Sequence, residues 1–269
     1  MSTKERPDGR QPARRVSPAR LYDYLLDGKD NYQSDRDLAD RMLQLQPWLT
    51  VAARENRAFV GRAVRWLADR GLRQFLDIGC GLPGHDDVHR ITARRAPGTR
   101  VVYVDRDPFV LTHARALLAD GEEVRVAAGD LTRPRELLSG LPLLDLTRPV
   151  AVVLSAVLHH LADEDRPHEA VAELRDALAP GSALLLSHLA ADLDDPGGRK
   201  AAELFTGESG VPLVPRDRAE VEAFFGDFRL VDPGLVFTTQ WRPTGPVRPP
   251  EQALLYAGVA LADPDRAAG

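Results

Sequence analysis

The stretch Phe75-Leu76-Asp77-Ile78-Gly79-Cys80-Gly81-Leu82-Pro83-Gly84 constrains this chain more than any other. Its apolar residues read as a short strand of a parallel sheet, buried by helices on both faces. Gly79 and Gly81 permit a tight turn and a close approach of backbone to ligand, and the next segment is expected to open a helix whose amides face the site. Taken as letters, Gly79, Gly81 and Gly84 also satisfy the dinucleotide fingerprint, so the glycines alone do not choose a ligand.

The neighbouring charges do choose. A pyrophosphate seated on this turn would lie close to Asp77, and to Asp86 and Asp87 at the start of the next helix, where like charges repel it. A nicotinamide cofactor, and with it an oxidoreductase, is therefore disfavoured. S-adenosylmethionine has no phosphate and carries an ammonium and a sulfonium, so a carboxylate at the strand end attracts it.

Length and charge bound the remaining classes. With 269 residues and 43% hydrophobic content, the chain can bury a full core as one large domain, or as a domain with a cap. The net charge is −5 and the arginines are scattered among acids, with Lys4, Lys29 and Lys200 the only lysines, so nucleic acid is not the expected partner. Cys80 is the single cysteine, which excludes an intrachain disulfide and a cysteine-rich metal framework. No stretch approaches the ~18 uninterrupted apolar residues of a membrane span, and Met1 to Val16 is polar and basic. The expectation is a cytoplasmic protein whose residues 1–16, with Lys4, Arg6, Arg10, Arg14 and Arg15, form a solvated, mobile tail.

The apolar pattern alternates between short strands and helices, the rhythm of an α/β, doubly wound, mostly parallel sheet. Strands are expected at 74–78, 100–104, 124–128, 150–154 and 183–187. Asp107-Pro108 reads as an N-cap followed by proline at the first helical position. Asp163 is expected to precede a helix in the same way, with Ala170, Val171, Leu174 and Leu178 on one face and a stop at Pro180-Gly181. Residues 17–70 read as an N-terminal helical cap, with helices at 18–26, 35–45 and 51–70, and residues 71–264 as the core. In the third helix Phe59, Val60, Ala63, Val64 and Leu67 form a stripe expected to pack on the sheet. Residues 191–198 read as a loop and 216–225 as a helix, and late strands near 235–240 and 254–260 are expected to pair as a hairpin.

In an open parallel sheet a ligand lies outside the carboxyl ends of the strands, near the switch in strand order. Asp77, Asp105 and Asp130 are expected there. Asp105 can accept hydrogen bonds from both hydroxyls of a ribose, with Cys80 and Arg106 beside it. Asp130 is placed to accept from the exocyclic amine of adenine while Leu131 offers its backbone. Leu154-Ser155-Ala156-Val157-Leu158-His159-His160 ends the fourth strand where the sulfonium is expected, and the small Ser155 and Ala156 allow carbonyls to approach it. A neutral imidazole of His159 or His160 could take a proton from the acceptor, although a histidine after a strand also serves plain packing. No ligand spacing for a metal accompanies the pair.

Asp77-Ile78-Gly79-Cys80-Gly81, Asp105, Gly129-Asp130 and Leu158-His159-His160 together resemble the successive motifs of class I S-adenosylmethionine-dependent methyltransferases. The resemblance implies a Rossmann-like sheet of seven strands with an antiparallel last strand. A narrower likeness rests on Ser17-Pro18-Ala19-Arg20-Leu21-Tyr22-Asp23-Tyr24-Leu25-Leu26-Asp27-Gly28-Lys29-Asp30-Asn31-Tyr32, Ala53-Arg54-Glu55-Asn56-Arg57-Ala58-Phe59 and Gln74-Phe75-Leu76-Asp77-Ile78-Gly79. These segments resemble a bacterial methyltransferase family long known only as a domain of unknown function. That likeness implies a cap closing over the donor, with Tyr22, Asn31 and Arg57 near its methionine end. The turn Gly84-His85-Asp86-Asp87 departs from the pattern, where a polar uncharged residue is expected near position 87.

The expected activity is methyl transfer by in-line displacement to a small-molecule acceptor through oxygen or nitrogen, without a covalent enzyme intermediate, releasing S-adenosylhomocysteine. The alternatives are a protein that binds S-adenosylmethionine or S-adenosylhomocysteine without catalysis and, less favoured, an NAD(P)-dependent oxidoreductase.

Overall fold

A computed structural model describes residues 15–118, 121–193 and 195–265. One sheet holds β1 (Gln74–Ile78), β2 (Arg100–Asp105), β3 (Val124–Ala128), β4 (Ala151–Ser155), β5 (Ala183–Leu189), β6 (Arg229–Leu230), β7 (Val236–Phe237) and β8 (Leu255–Leu261). Seven strands follow the order β3-β2-β1-β4-β5-β8-β6, while β7 pairs separately with β8. β1 to β5 run parallel and β8 antiparallel to β5, the arrangement expected from the sequence. The helices are α1 (Pro18–Leu25), α2 (Gln33–Leu45), α3 (Leu49–Asp69), α4 (Val88–Arg95), α5 (Pro108–Leu117), α6 (Pro134–Ser139), α7 (Pro167–Asp176), α8 (Pro196–Ser209), α9 (Arg218–Ala223) and α10 (Pro250–Ala253).

Side chains alternate across the central strands and divide the core in two. Leu76, Val102, Val152 and Leu184 face one side with Val171 and Leu174 of α7. Phe75, Val101, Val153 and Leu185 face the other, where the expected stripe of α3, Phe59, Val60, Ala63, Val64 and Leu67, covers them. Because the chain winds outward in opposite directions from β1 and β4, their carboxyl ends leave a crevice between them.

The cap over that crevice is a cluster of its own. Leu21 and Leu25 of α1, Leu38, Ala39 and Met42 of α2 and Ala53 of α3 pack with Ala201 and Phe205 of α8. A fully buried Asp35 ties the entry together, taking Arg20 at 2.7 Å and the backbone amides of Ser17 at 3.1 Å and Tyr32 at 2.9 Å. These charge-assisted bonds offset the desolvation of the pair.

Several expectations need correction. The 191–198 loop ends at Pro196, where α8 begins with Asp195 capping Gly198 at 2.9 Å; the Asp-Pro signal was present, but Gly197 and Gly198 weaken the helical reading. Asp163 does not cap α7, which starts at Pro167, and instead accepts Arg216 at 2.7 Å. Of 235–240 only Val236–Phe237 pairs with β8, and Thr238–Gln240 forms a 3₁₀ turn. Lys4, Arg6, Arg10 and Arg14 lie outside the described residues, whereas Arg15, assigned to the same tail, donates to the Ser209 carbonyl at 2.8 Å.

Candidate functional site

The carboxyl ends of β1 to β4 and the helical cap line a cavity of about 1450 Å³ that is open to solvent on one side. Every candidate donor-binding or catalytic residue named from the sequence lines it except Asn31. Asn31 donates instead to Asp23 at 2.8 Å and the Gly28 carbonyl at 3.0 Å, and accepts from Arg36 at 2.9 Å. Its amide thus braces the turn after α1.

The glycine turn is shaped by close approach. Gly79 has φ 71° and its amide donates to the Val104 carbonyl at 2.8 Å. A Cβ there would lie 2.3 Å from Val157, so any side chain would displace the segment after β4. Gly81 has φ 65° and faces open space, while its amide donates to Asp105 at 3.1 Å. The helix does not open directly from this turn. Six residues intervene before α4, and Asp87 turns its buried carboxylate back onto the Gly84 amide at 3.0 Å and toward Arg57 at 3.3 Å. That ion pair explains how a charge is accommodated where an uncharged residue was expected.

Three acids at strand ends differ in what they already hold. Asp105 takes the amides of Gly81 and Asp107, one on each carboxylate oxygen, which leaves lone pairs on both for a ligand diol. Asp130 binds the amide and hydroxyl of Thr132 through one oxygen, at 2.9 Å each, and keeps the other. Asp77 is 8% exposed and has no hydrogen-bond donor among the described residues. Burial pushes its carboxyl up to about 7, against the pull of Arg57 and with the push of Asp87 and Asp105. Burial also holds the Cys80 thiol well above its ordinary range, with Asp77 adding to the effect, so it is an inert wall of the turn.

Beneath the crevice runs a polar chain that the motifs did not reveal. Asn56 of α3, 1% exposed, donates to the Tyr22 hydroxyl at 2.9 Å and to Ser155 at 3.0 Å. Ser155 meets Ser187 at 3.3 Å, and Ser187 accepts the Ala156 amide at 3.0 Å. Ala156 is held at φ 52°, a region costly for a residue with a Cβ. The signal in the sequence was a lone Asn on the buried face of α3, between Ala52 and Phe59.

The two histidines carry opposite tautomers. The Leu189 amide can only donate, so its 3.3 Å contact makes His159 Nδ1 the acceptor and puts the proton on Nε2. The Pro212 carbonyl can only accept, so its 3.1 Å contact puts the His160 proton on Nδ1 and leaves Nε2 with a lone pair. Burial holds both neutral: His160 is pushed down to about 4, with Arg106 adding to the effect, and His159 lies well below its ordinary value through burial and the neighbouring His160, His188 and Arg216. Arg216, 2% exposed, fastens the turn that carries them by donating to the carbonyls of Leu158 at 3.3 Å and Leu161 at 3.1 Å.

An unpaired buried carboxylate beside a glycine turn suits the cationic amino-acid end of S-adenosylmethionine, and Asp105 suits its diol. The same Asp77 opposes a pyrophosphate. Among the described residues no cluster of three or more His, Cys, Asp or Glu could hold a metal, and no helix is long and apolar enough to cross a membrane.

The chain matches the family model described as S-adenosyl methyltransferase over residues 5–263. A Thermobifida fusca YX protein, provisionally assigned as a methyltransferase, is 40% identical; the alignment covers 93% of this chain and 96% of that one with a TM-score of 0.87. A DUF574 family protein from Streptomyces avermitilis MA-4680 is 37% identical, with 92% and 98% covered and a TM-score of 0.88. An O-methyltransferase family protein from Burkholderia thailandensis, 16% identical over 77% of this chain and 56% of its own with a TM-score of 0.53, shares the fold alone. No match was found among curated proteins. Since the family model spans nearly the whole chain and two solved relatives align with more than nine-tenths of it, this protein belongs to the S-adenosyl methyltransferase family.

Proposed function

We propose that the protein transfers a methyl group from S-adenosylmethionine to a small-molecule acceptor bearing an oxygen or nitrogen nucleophile. The observation that carries this reading is Asp77, a buried carboxylate lining the cavity with no donor of its own among the described residues. Bound S-adenosylmethionine supplies a methyl group already activated on a sulfonium. Asp77 and Arg57 hold the amino-acid end, Asp105 the ribose, and Asp130 with Leu131 the base. The Tyr22, Asn56 and Ser155 chain keeps the end of β4 in place, and the cap excludes water.

His160 Nε2 has the free lone pair and takes the acceptor's proton. His159 Nε2–H orients the acceptor's nucleophilic atom. The pairing gives one donor and one acceptor at adjacent positions, which two identical tautomers could not provide. The acidic balance and the lack of a basic stripe favour a small molecule over nucleic acid.

Calorimetric titration with S-adenosylmethionine, S-adenosylhomocysteine and NADH tests the reading. Micromolar binding of the two sulfur ligands and none of NADH is expected. Absence of sulfur-ligand binding overturns it, and binding without turnover against any acceptor would leave a non-catalytic donor-binding protein.

A further inference from the structure

Resting on that reading of the site, we infer that the acceptor is an uncharged molecule with an apolar tail, and that the tail occupies a second chamber between α2, α8 and the end of β5. The chamber measures about 250 Å³. It shares Met42, Leu49, Leu189, Leu213 and Leu254 with the main cavity, so these five side chains form the partition between the two. The partition adjoins the chemistry on both sides. Ala156, at the end of β4, packs with Leu49, Leu189 and Leu254, and the His160 ring lies 5.5 Å from Phe205, which clusters with Met42 and Leu213.

The partition itself, Met42, Leu49, Leu189, Leu213 and Leu254, is apolar throughout and carries no counter-charge for a buried ion. A carboxylate, phosphate or ammonium drawn into it would lose its hydration without compensation. Of the charged residues lining the chamber, Asp195 is already engaged by Gln46 and by the Gly198 amide, and Arg199 is exposed at the rim. The chamber's size is ample for a ring or short chain, since an apolar cavity of roughly 150 Å³ accommodates benzene. Met42, unbranched and flexible, is the member of the partition best able to yield to a tail.

The test is calorimetry with phenol and 4-ethyl-, 4-butyl- and 4-hexylphenol, titrated into the full chain with and without saturating S-adenosylhomocysteine. Affinity is expected to rise about fourfold per methylene added, as for burial of CH₂ groups. A phenol whose chain of the same length ends in a carboxylate is expected to bind at least tenfold more weakly. Ala202→Phe, which fills the chamber and touches none of the residues assigned to chemistry, should abolish the gain with length. Ala191→Phe does the same from an exposed position and serves if the first variant does not fold. Affinity that stays flat with chain length, equal binding of the carboxylate-ended probe, or a length dependence unchanged in a folded variant overturns the inference. Failure of S-adenosylhomocysteine to bind counts separately, against the donor site, because the phenol series is also measured without it.

Discussion

Protonation of Asp77 should compete directly with donor binding. Its carboxyl titrates near 7 because burial opposes the ionised form more strongly than Arg57 supports it. A ligand ammonium pairs only with the carboxylate, so the apparent Kd is the intrinsic value multiplied by one plus the ratio of protonated to ionised Asp77. For a pKa of about 7 that factor is about 1.1 at pH 8 and about 11 at pH 6, a tenfold loss worth about 1.4 kcal/mol. Calorimetry with S-adenosylhomocysteine at pH 6, 7 and 8, in buffers of different ionisation enthalpy, reads both the affinity and the proton released. Release should be about 0.9 proton per ligand at pH 6 and about 0.1 at pH 8. Asp77→Asn should bind weakly at every pH and lose the slope. A wild-type Kd constant across this range, or the same slope in the Asn variant, would refute the pairing.

Because the folded-state value of Asp77 is raised, its ionisation costs stability as pH climbs from about 4 to about 7, on the order of 4 kcal/mol in total. Asp77→Asn should therefore raise Tm at pH 8, with the gain shrinking toward pH 4; a lower Tm at pH 8 contradicts this. Asp105→Ala should lose roughly 2 to 4 kcal/mol of donor binding, ~30-fold or more, and unaltered affinity would remove the residue from the ribose site. Asn56→Leu removes one hydrogen bond each from Ser155 and Tyr22, and denaturant unfolding should show about 1 to 3 kcal/mol lost. His160→Gln should lower kcat by about 10²-fold or more with donor Kd unchanged, whereas equal turnover would show that no base acts there.

The sequence by itself determined the local structure of this protein. The run ending at Ile78 could only be a buried strand, Gly79 and Gly81 could take the positive φ the turn needs, and Asp107-Pro108 started α5 where its capping bond now lies. Those features depend on neighbours within a few residues, so periodicity and side-chain type suffice to read them. Tertiary structure decided what the site can do. Asn56 reaches Ser155 across 99 positions, the His159 and His160 tautomers are set by Leu189 and by Pro212, 30 and 52 positions away, and α8 completes the cap by packing on α2. No local pattern encodes such partners, because which donor meets which lone pair is settled only when distant segments are buried together and every polar group must find a partner without water.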